Sequence, residues 1–231
     1  MGEYLTSCGF TVSAPLLAGH GTTPEDLAQV KWQDWFASVE EGYQTLRQDC
    51  DDVFVAGFSL GSLLAVHLAV HHQVSGVILL SPGFWVRDRR LALVPWFGRL
   101  FKWVSKDLGA ENADLADPSA LELFWSYDVV PTAAAHQALL LQRITRDELQ
   151  CVRQPALVIC AVRDHSIASN SVPRTYQRLA AKDKEMLVLR KSGHGIVVDS
   201  ERETVFQRVC EWMEKRAGRS EPEPAGTPTV A

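Results

Sequence analysis

The chain has 231 residues, 46% of them hydrophobic and 22% charged, with a formal net charge of -5 at pH 7. That length supports one sizeable domain with a continuous core, and the composition is that of an ordinary globular chain rather than a disordered or fibrous one. A mildly acidic balance lacks the field that draws a protein onto phosphates, so no nucleic-acid partner is expected.

The first residues, MGEYLTSCGF, carry neither the basic start nor the long apolar centre of a signal peptide. No stretch of the chain reaches the roughly 20 apolar residues of a membrane span, so a cytoplasmic protein is the expectation. Met1–Thr6 fits the loose N-myristoylation pattern, but Leu5 reads as the end of an apolar helix face. The five cysteines, Cys8, Cys50, Cys151, Cys160 and Cys210, are scattered, odd in number and without a CxxC pair. They predict no disulfide framework and no zinc site, as in a reducing compartment.

Strand-like runs recur along the chain at Thr11–Leu16, Val53–Ala56, Val77–Leu80, Ala156–Cys160 and Met186–Leu189. Helical patterns lie between them. From Trp32 the apolar positions Trp35, Phe36, Val39, Tyr43 and Leu46 recur at steps of three and four; Leu60–Ala69 is nearly continuously apolar; Glu201–Arg216 gathers Val205, Val209, Trp212 and Met213 on one side. Short apolar runs alternating with helices predict an α/β domain over residues 1–217, its mostly parallel sheet flanked by helices.

The alternation breaks between residues 84 and 150, which read as a helical insertion. Leu93, Trp96, Phe97, Leu100, Phe101 and Val104 form one apolar face there, and 121–125 and 133–144 continue the helical pattern. That face either borders a pocket or packs on the core. Arg87, Arg89, Arg90, Arg99, Lys102 and Lys106, beside Trp96 and Trp103, would also suit contact with a membrane surface. Residues 218–231, rich in Pro, Glu, Gly and Thr, read as a disordered tail.

The stretch GFSLG at 57–61 follows the apolar run VFVA and precedes the apolar helix at 60–69. A serine between glycines at a strand-to-helix turn is the pattern of a nucleophile elbow, in which a strained backbone exposes the hydroxyl and the next N–H faces a developing oxyanion. Here those groups are Ser59 and the Leu60 amide. A serine hydroxyl needs a base, and the base needs a carboxylate to orient it, in the chain order Ser, acid, His. Asp164 follows the run at 156–160, and His194 follows the run at 186–189 in a glycine-flanked loop.

Other residues read less sharply. His20 precedes the elbow and is a loop residue near the pocket, and His165 is a rim residue. His67, His71 and His72 have no Asp, Glu or Cys at ligand spacing, so no metal site and no cofactor are expected. Asp199 is expected to cap the last helix.

Through residues 9–12, AGHGT at 18–22, 32–43, GFSLG at 57–61, the Asp164 loop and SGH at 192–194, the chain resembles the α/β-hydrolases, and within them bacterial carboxylesterases and monoacylglycerol lipases. The resemblance implies Ser59 as nucleophile, His194 as general base and Asp164 as its partner. It implies Leu60 at the oxyanion hole, with Phe58, Trp96 and Phe97 lining the substrate site beneath a helical lid at 84–150. The implied partner is a small-molecule ester; the residues do not fix an oligomeric state. An alternative is a hydrolase-like binding or scaffold protein.

Members of that group carry an HG-type loop ahead of the segment that begins here, supplying a second oxyanion donor. On that comparison the chain reads as N-terminally shortened. The run at 11–16 takes the place of the family's fourth strand, and a hole is expected between it and the elbow strand.

Overall fold

The computed structural model describes residues 1–87, 102–105 and 114–218. The expectations placed on Arg89, Arg90, Leu93, Trp96, Phe97, Arg99, Leu100, Phe101 and Lys106, and on the tail after Gly218, lie outside these residues. Among the described residues, no helix is long and apolar enough to cross a membrane.

A four-stranded, all-parallel sheet organises the domain: β1 (Phe54–Phe58), β2 (Gly76–Leu80), β5 (Ala156–Ala161) and β6 (Lys184–Leu189), in that spatial order. The side-chain period of two explains why the central runs are apolar throughout. Val77, Leu79 and Val158 enter one core with Trp35, Leu63, Leu64 and Leu141. Ile78, Leu80, Leu157 and Ile159 enter the other, with Leu5, Val205, Val209 and Trp212. Each fully buried Leu or Ile contributes about 1.5–3 kcal/mol, which makes the β2–β5 centre the rigid floor of the molecule.

Helices cover both faces. On one side lie α3 (Trp32–Asp49), α4 (Leu60–His71) and α5 (Thr132–Glu148); on the other lie α1 (Gly2–Ser7) and α7 (Arg202–Glu214). The short α2 (Pro24–Leu27) and α6 (Ser171–Arg178) complete the set. The nearly continuous apolar run at 60–69 is explained by α4, whose residues from Ser62 to Ala69 are all buried.

Three expectations are corrected. Residues 11–16 form no strand: they run exposed, Leu16 at 70% and Val12 at 38%, and Pro15 has no N–H to give to a ladder. A cavity of about 370 Å³ separates Thr11–Pro15 from Phe54–Phe58, where the hole was expected. Pairing requires a neighbour within about 4.8 Å, and a β-prone run without one stays a loop.

The segment 84–150 is not wholly helical. β3 (Trp103–Ser105) and β4 (Val129–Pro131) pair antiparallel, and a 3-10 turn occupies Pro118–Leu123. Its last helix, α5, joins the main core through Ala134 and Leu141. The cysteines do not all stand apart either: Cys8 and Cys210 form a disulfide across 202 positions, joining α1 to α7.

Candidate functional site

Ser59 stands between β1 and α4 with φ 51° and ψ -111°, a positive-φ conformation that non-glycine residues rarely adopt. Its surroundings hold it there. The Ser59 amide donates to the Leu80 carbonyl at 2.9 Å, the Gly83 amide donates to the Ser59 carbonyl at 3.2 Å, and the Ser62 hydroxyl donates to the Gly57 carbonyl at 2.7 Å. A Cβ on residue 57 would lie 2.1 Å from the Gly61 carbonyl oxygen, so glycine is required where strand and helix cross. Gly61 is not crowded in this way. A Cβ there meets nothing within 4 Å, because that position lines the cavity beside β1. Leu60 is the first residue of α4, so its N–H belongs to the turn whose amides have no intrahelical acceptor.

The structure brings the three expected side chains together from three loops at one end of the sheet. His194 Nε2 lies 2.9 Å from Ser59 Oγ, and His194 Nδ1 lies 2.8 Å from Asp164 Oδ2. A carboxylate accepts only, so the ring carries its proton on Nδ1 and Nε2 is left to accept from the serine hydroxyl. The side chains of His194 and Asp164 are 11% and 7% exposed, dry enough for both bonds to be strong. Asp164 Oδ1 accepts from the amides of Ser166 at 3.0 Å and Ile167 at 2.9 Å, which fixes the plane of the carboxylate.

The loop carrying His194 is held by carboxylates that no motif marks. Asp199 does not cap α7. Its side chain accepts from the amides of Ala116, Asp117, Gly193 and Ser200 at 2.7–2.9 Å. Glu201 accepts from the Lys191 and Ser192 amides, both at 2.8 Å. Asp114, itself at φ 53°, joins the two loops: its carboxylate accepts from the amides of His165 and Ser166 and from the Ser166 hydroxyl, and its carbonyl accepts from the His194 amide at 2.8 Å. Gly193 makes this approach possible, since a Cβ would fall 2.2 Å from the Asp114 oxygen.

Burial pushes the Asp199 carboxyl up, but the amides of Ala116, Gly193, Ser200 and Asp117 outweigh it and hold the group below its ordinary value. A carboxylate held below its unfolded pKa stabilises the fold above that value and loses the contribution as pH falls through the folded one. The Tm is therefore expected to drop as pH falls below about 4, and D199N to flatten that acid limb while lowering Tm at pH 7. Thermal melts from pH 7 to 3 check this, and an unchanged acid limb in D199N would contradict it.

Phe58 packs beside the ring of His194 at 5.1 Å and edge-on to Phe124 at 6.4 Å. Next to Phe124, Leu123 and Trp125 are 60% and 66% exposed. Trp96 and Phe97 lie outside the described residues, as does most of the basic aromatic face; of that face Arg87, Lys102 and Trp103 are exposed. His20 rests on the Ala18 carbonyl and the edge of Trp35, and His165 is exposed. The Cys160 thiol, pushed up to about 11 by burial and by the charge of Asp164, stays protonated and is no rival nucleophile. His67 and His71 do have an acidic companion after all, since Glu148 arrives from α5.

The family model described as "Alpha/beta hydrolase family" matches residues 3–208. Among curated relatives, a thermostable monoacylglycerol lipase from Bacillus sp. (strain H-257) is 32% identical over 219 residues, 94% of this chain and 85% of that protein. A carboxylesterase from Bacillus subtilis (strain 168) is 27% identical over 220 residues, 93% of this chain and 85% of its own. Among solved structures, one reported with the metagenome-derived lipolytic enzymes LipS and LipT superposes with a TM-score of 0.86 at 24% identity, covering 93% of this chain and 86% of that one. The monoacylglycerol lipase of Paleococcus ferrophilus gives a TM-score of 0.75 at 18% identity, covering 93% and 87%. These two solved structures share the fold. With the family model spanning most of its length and a curated relative 32% identical across nearly all of it, the chain belongs to the alpha/beta hydrolase family and is a hydrolytic enzyme.

Proposed function

We propose that the protein cleaves carboxylic esters, short to medium acyl esters or monoacylglycerol, through an acyl-enzyme on Ser59. His194 Nε2 takes the serine proton as Oγ attacks the carbonyl carbon, then gives it to the departing alcohol. Asp164 holds the ring in the Nδ1–H tautomer and stabilises the imidazolium that forms. The Leu60 amide, next to the nucleophile, bonds the oxyanion of the tetrahedral intermediate. Water, activated by the same imidazole, then releases the acid.

The observation that carries this reading is the unbroken chain from Asp164 through His194 to Ser59, at 2.8 and 2.9 Å. The names of the Bacillus relatives support the substrate class. Phe58, Phe124 and the exposed Leu123 and Trp125 offer apolar surface toward which an acyl chain can lie, with the 84–150 segment acting as lid.

A fluorophosphonate probe tests the chemistry, because it bonds only to an activated serine. Peptide mapping is expected to place the label on Ser59, with p-nitrophenyl acyl esters and monoacylglycerol as competing substrates. A full-length chain that neither labels nor turns over these esters would instead favour the binding or scaffold reading.

A further inference from the structure

His67 and His71 stand one turn apart on α4, and Glu148 closes against them from the last turn of α5. Glu148 Oε1 lies 2.8 Å from His67 Nδ1 and 3.1 Å from His71 Nε2, and the three ligand atoms all fall within 4.8 Å of one another. Residues four apart on a helix share a face, so both imidazoles reach the same point. An unshared histidine pair could be a surface accident. A carboxylate converging on both rings from a different helix, 77 and 81 positions along the chain, is a three-donor set.

We propose that Nδ1 of His67, Nε2 of His71 and the Glu148 carboxylate form a binding site for a divalent transition metal of the zinc class, stapling α4 to α5. Two imidazoles and one carboxylate are an established donor set for zinc, with metal–ligand distances of about 2.0–2.2 Å. Tetrahedral donors around such an ion stand about 3.3 Å apart. The two carboxylate-to-ring separations, 2.8 and 3.1 Å, therefore have to open by only a few tenths of an ångström. Metal binding displaces the protons that these two nitrogens donate to the carboxylate, so that each ring then holds its N–H on the nitrogen facing away from the metal.

The surroundings suit an ion. The His67 side chain is 11% exposed, and its ring is fixed edge-on by Phe36 at 4.5 Å and Trp32 at 5.3 Å. The His71 side chain is 50% exposed, which opens a route from solvent and leaves room for a water as fourth ligand. His72 is engaged elsewhere, with Glu40 at 2.7 Å. Along α4 the two histidines lie about 12 and 18 Å from the elbow serine, at about 1.5 Å per residue, so the ion would brace the helix behind Ser59 without touching substrate.

The test uses the full chain freed of metal by chelation. Zinc ion is titrated by calorimetry, cobalt(II) by its visible absorption, and the melt is repeated with and without zinc. One equivalent is expected to bind, with a rise in Tm. H71A and E148Q should each weaken binding at least tenfold and remove the rise. H194A, which deletes the imidazole at the other candidate site, should retain both. The half-exposed ring of His71 makes H71A the variant least able to disturb folding, and its metal-free melt checks this. The proposal is overturned if the native chain binds no zinc, if H71A binds it as tightly as the native chain, or if H194A abolishes binding.

Discussion

Asp164→Asn is expected to lower kcat by about 10⁴-fold while leaving the fold and KM nearly intact, as tautomer inversion does in hydrolases with this arrangement. Asp164 Oδ1 receives the amides of Ser166 and Ile167, so an asparagine keeps its carbonyl oxygen there and turns its NH₂ toward His194 Nδ1. That nitrogen must then accept, and the ring proton moves to Nε2, 2.9 Å from the Ser59 hydroxyl it should deprotonate. The base is present but reversed. Replacing His194 or Ser59 with alanine removes a participant outright and is expected to cost about 10⁶-fold, with double variants costing little more because the groups act as a unit. Initial rates on a p-nitrophenyl ester across the series would measure this. Equal activity in D164N and native protein would mean that this hydrogen-bond chain does not carry the reaction.

The two glycines of the elbow should respond in opposite ways. Gly57→Ala forces a methyl to 2.1 Å from the Gly61 carbonyl oxygen and 2.6 Å from the Ser62 nitrogen, all backbone of the first turn of α4. No rotamer relieves that contact, so β1 and α4 must separate. Overpacking within a core costs about 1–3 kcal/mol when side chains can yield. A clash between backbones belongs at or above the upper end, a Tm loss of roughly 6–12 °C in a domain of this size. Gly61→Ala adds its methyl to the open cavity and replaces a poor helix former with the best one, worth at most about 1 kcal/mol. Its Tm should match or slightly exceed that of the native chain. Differential scanning calorimetry of the two variants separates them, and equal losses would show that the space beside Gly61 is filled in solution.

What could be read in the sequence was what lies close along the chain. The runs at 77–80 and 156–160 betray a buried parallel sheet because every second residue enters a different core. Ser59, Asp164 and His194 were legible because each follows a strand, and parallel strands deliver their following loops to the same edge. Residues 11–16 were misread because strand propensity describes a surface and not the neighbour that must pair with it. Partners across the chain left no local mark. Asp114 meets His165 and Ser166 across 51 and 52 positions, Glu148 meets His67 across 81, and Cys8 meets Cys210 across 202. Nothing in the spacing of these residues points to one another. Their convergence is set by the sheet order and by how α5 returns to the core.

The cavity beside β1 bears on the precision of the reaction centre. Among the described residues, β1 has a paired strand on one flank, β2, and a gap on the other. The ledge that presents Ser59 is in effect a cantilever, fastened through Leu80 and Gly83. Small changes in β2 or in the turn after it will be transmitted to the aim of the hydroxyl, whereas changes in residues 11–15, across the gap, will not.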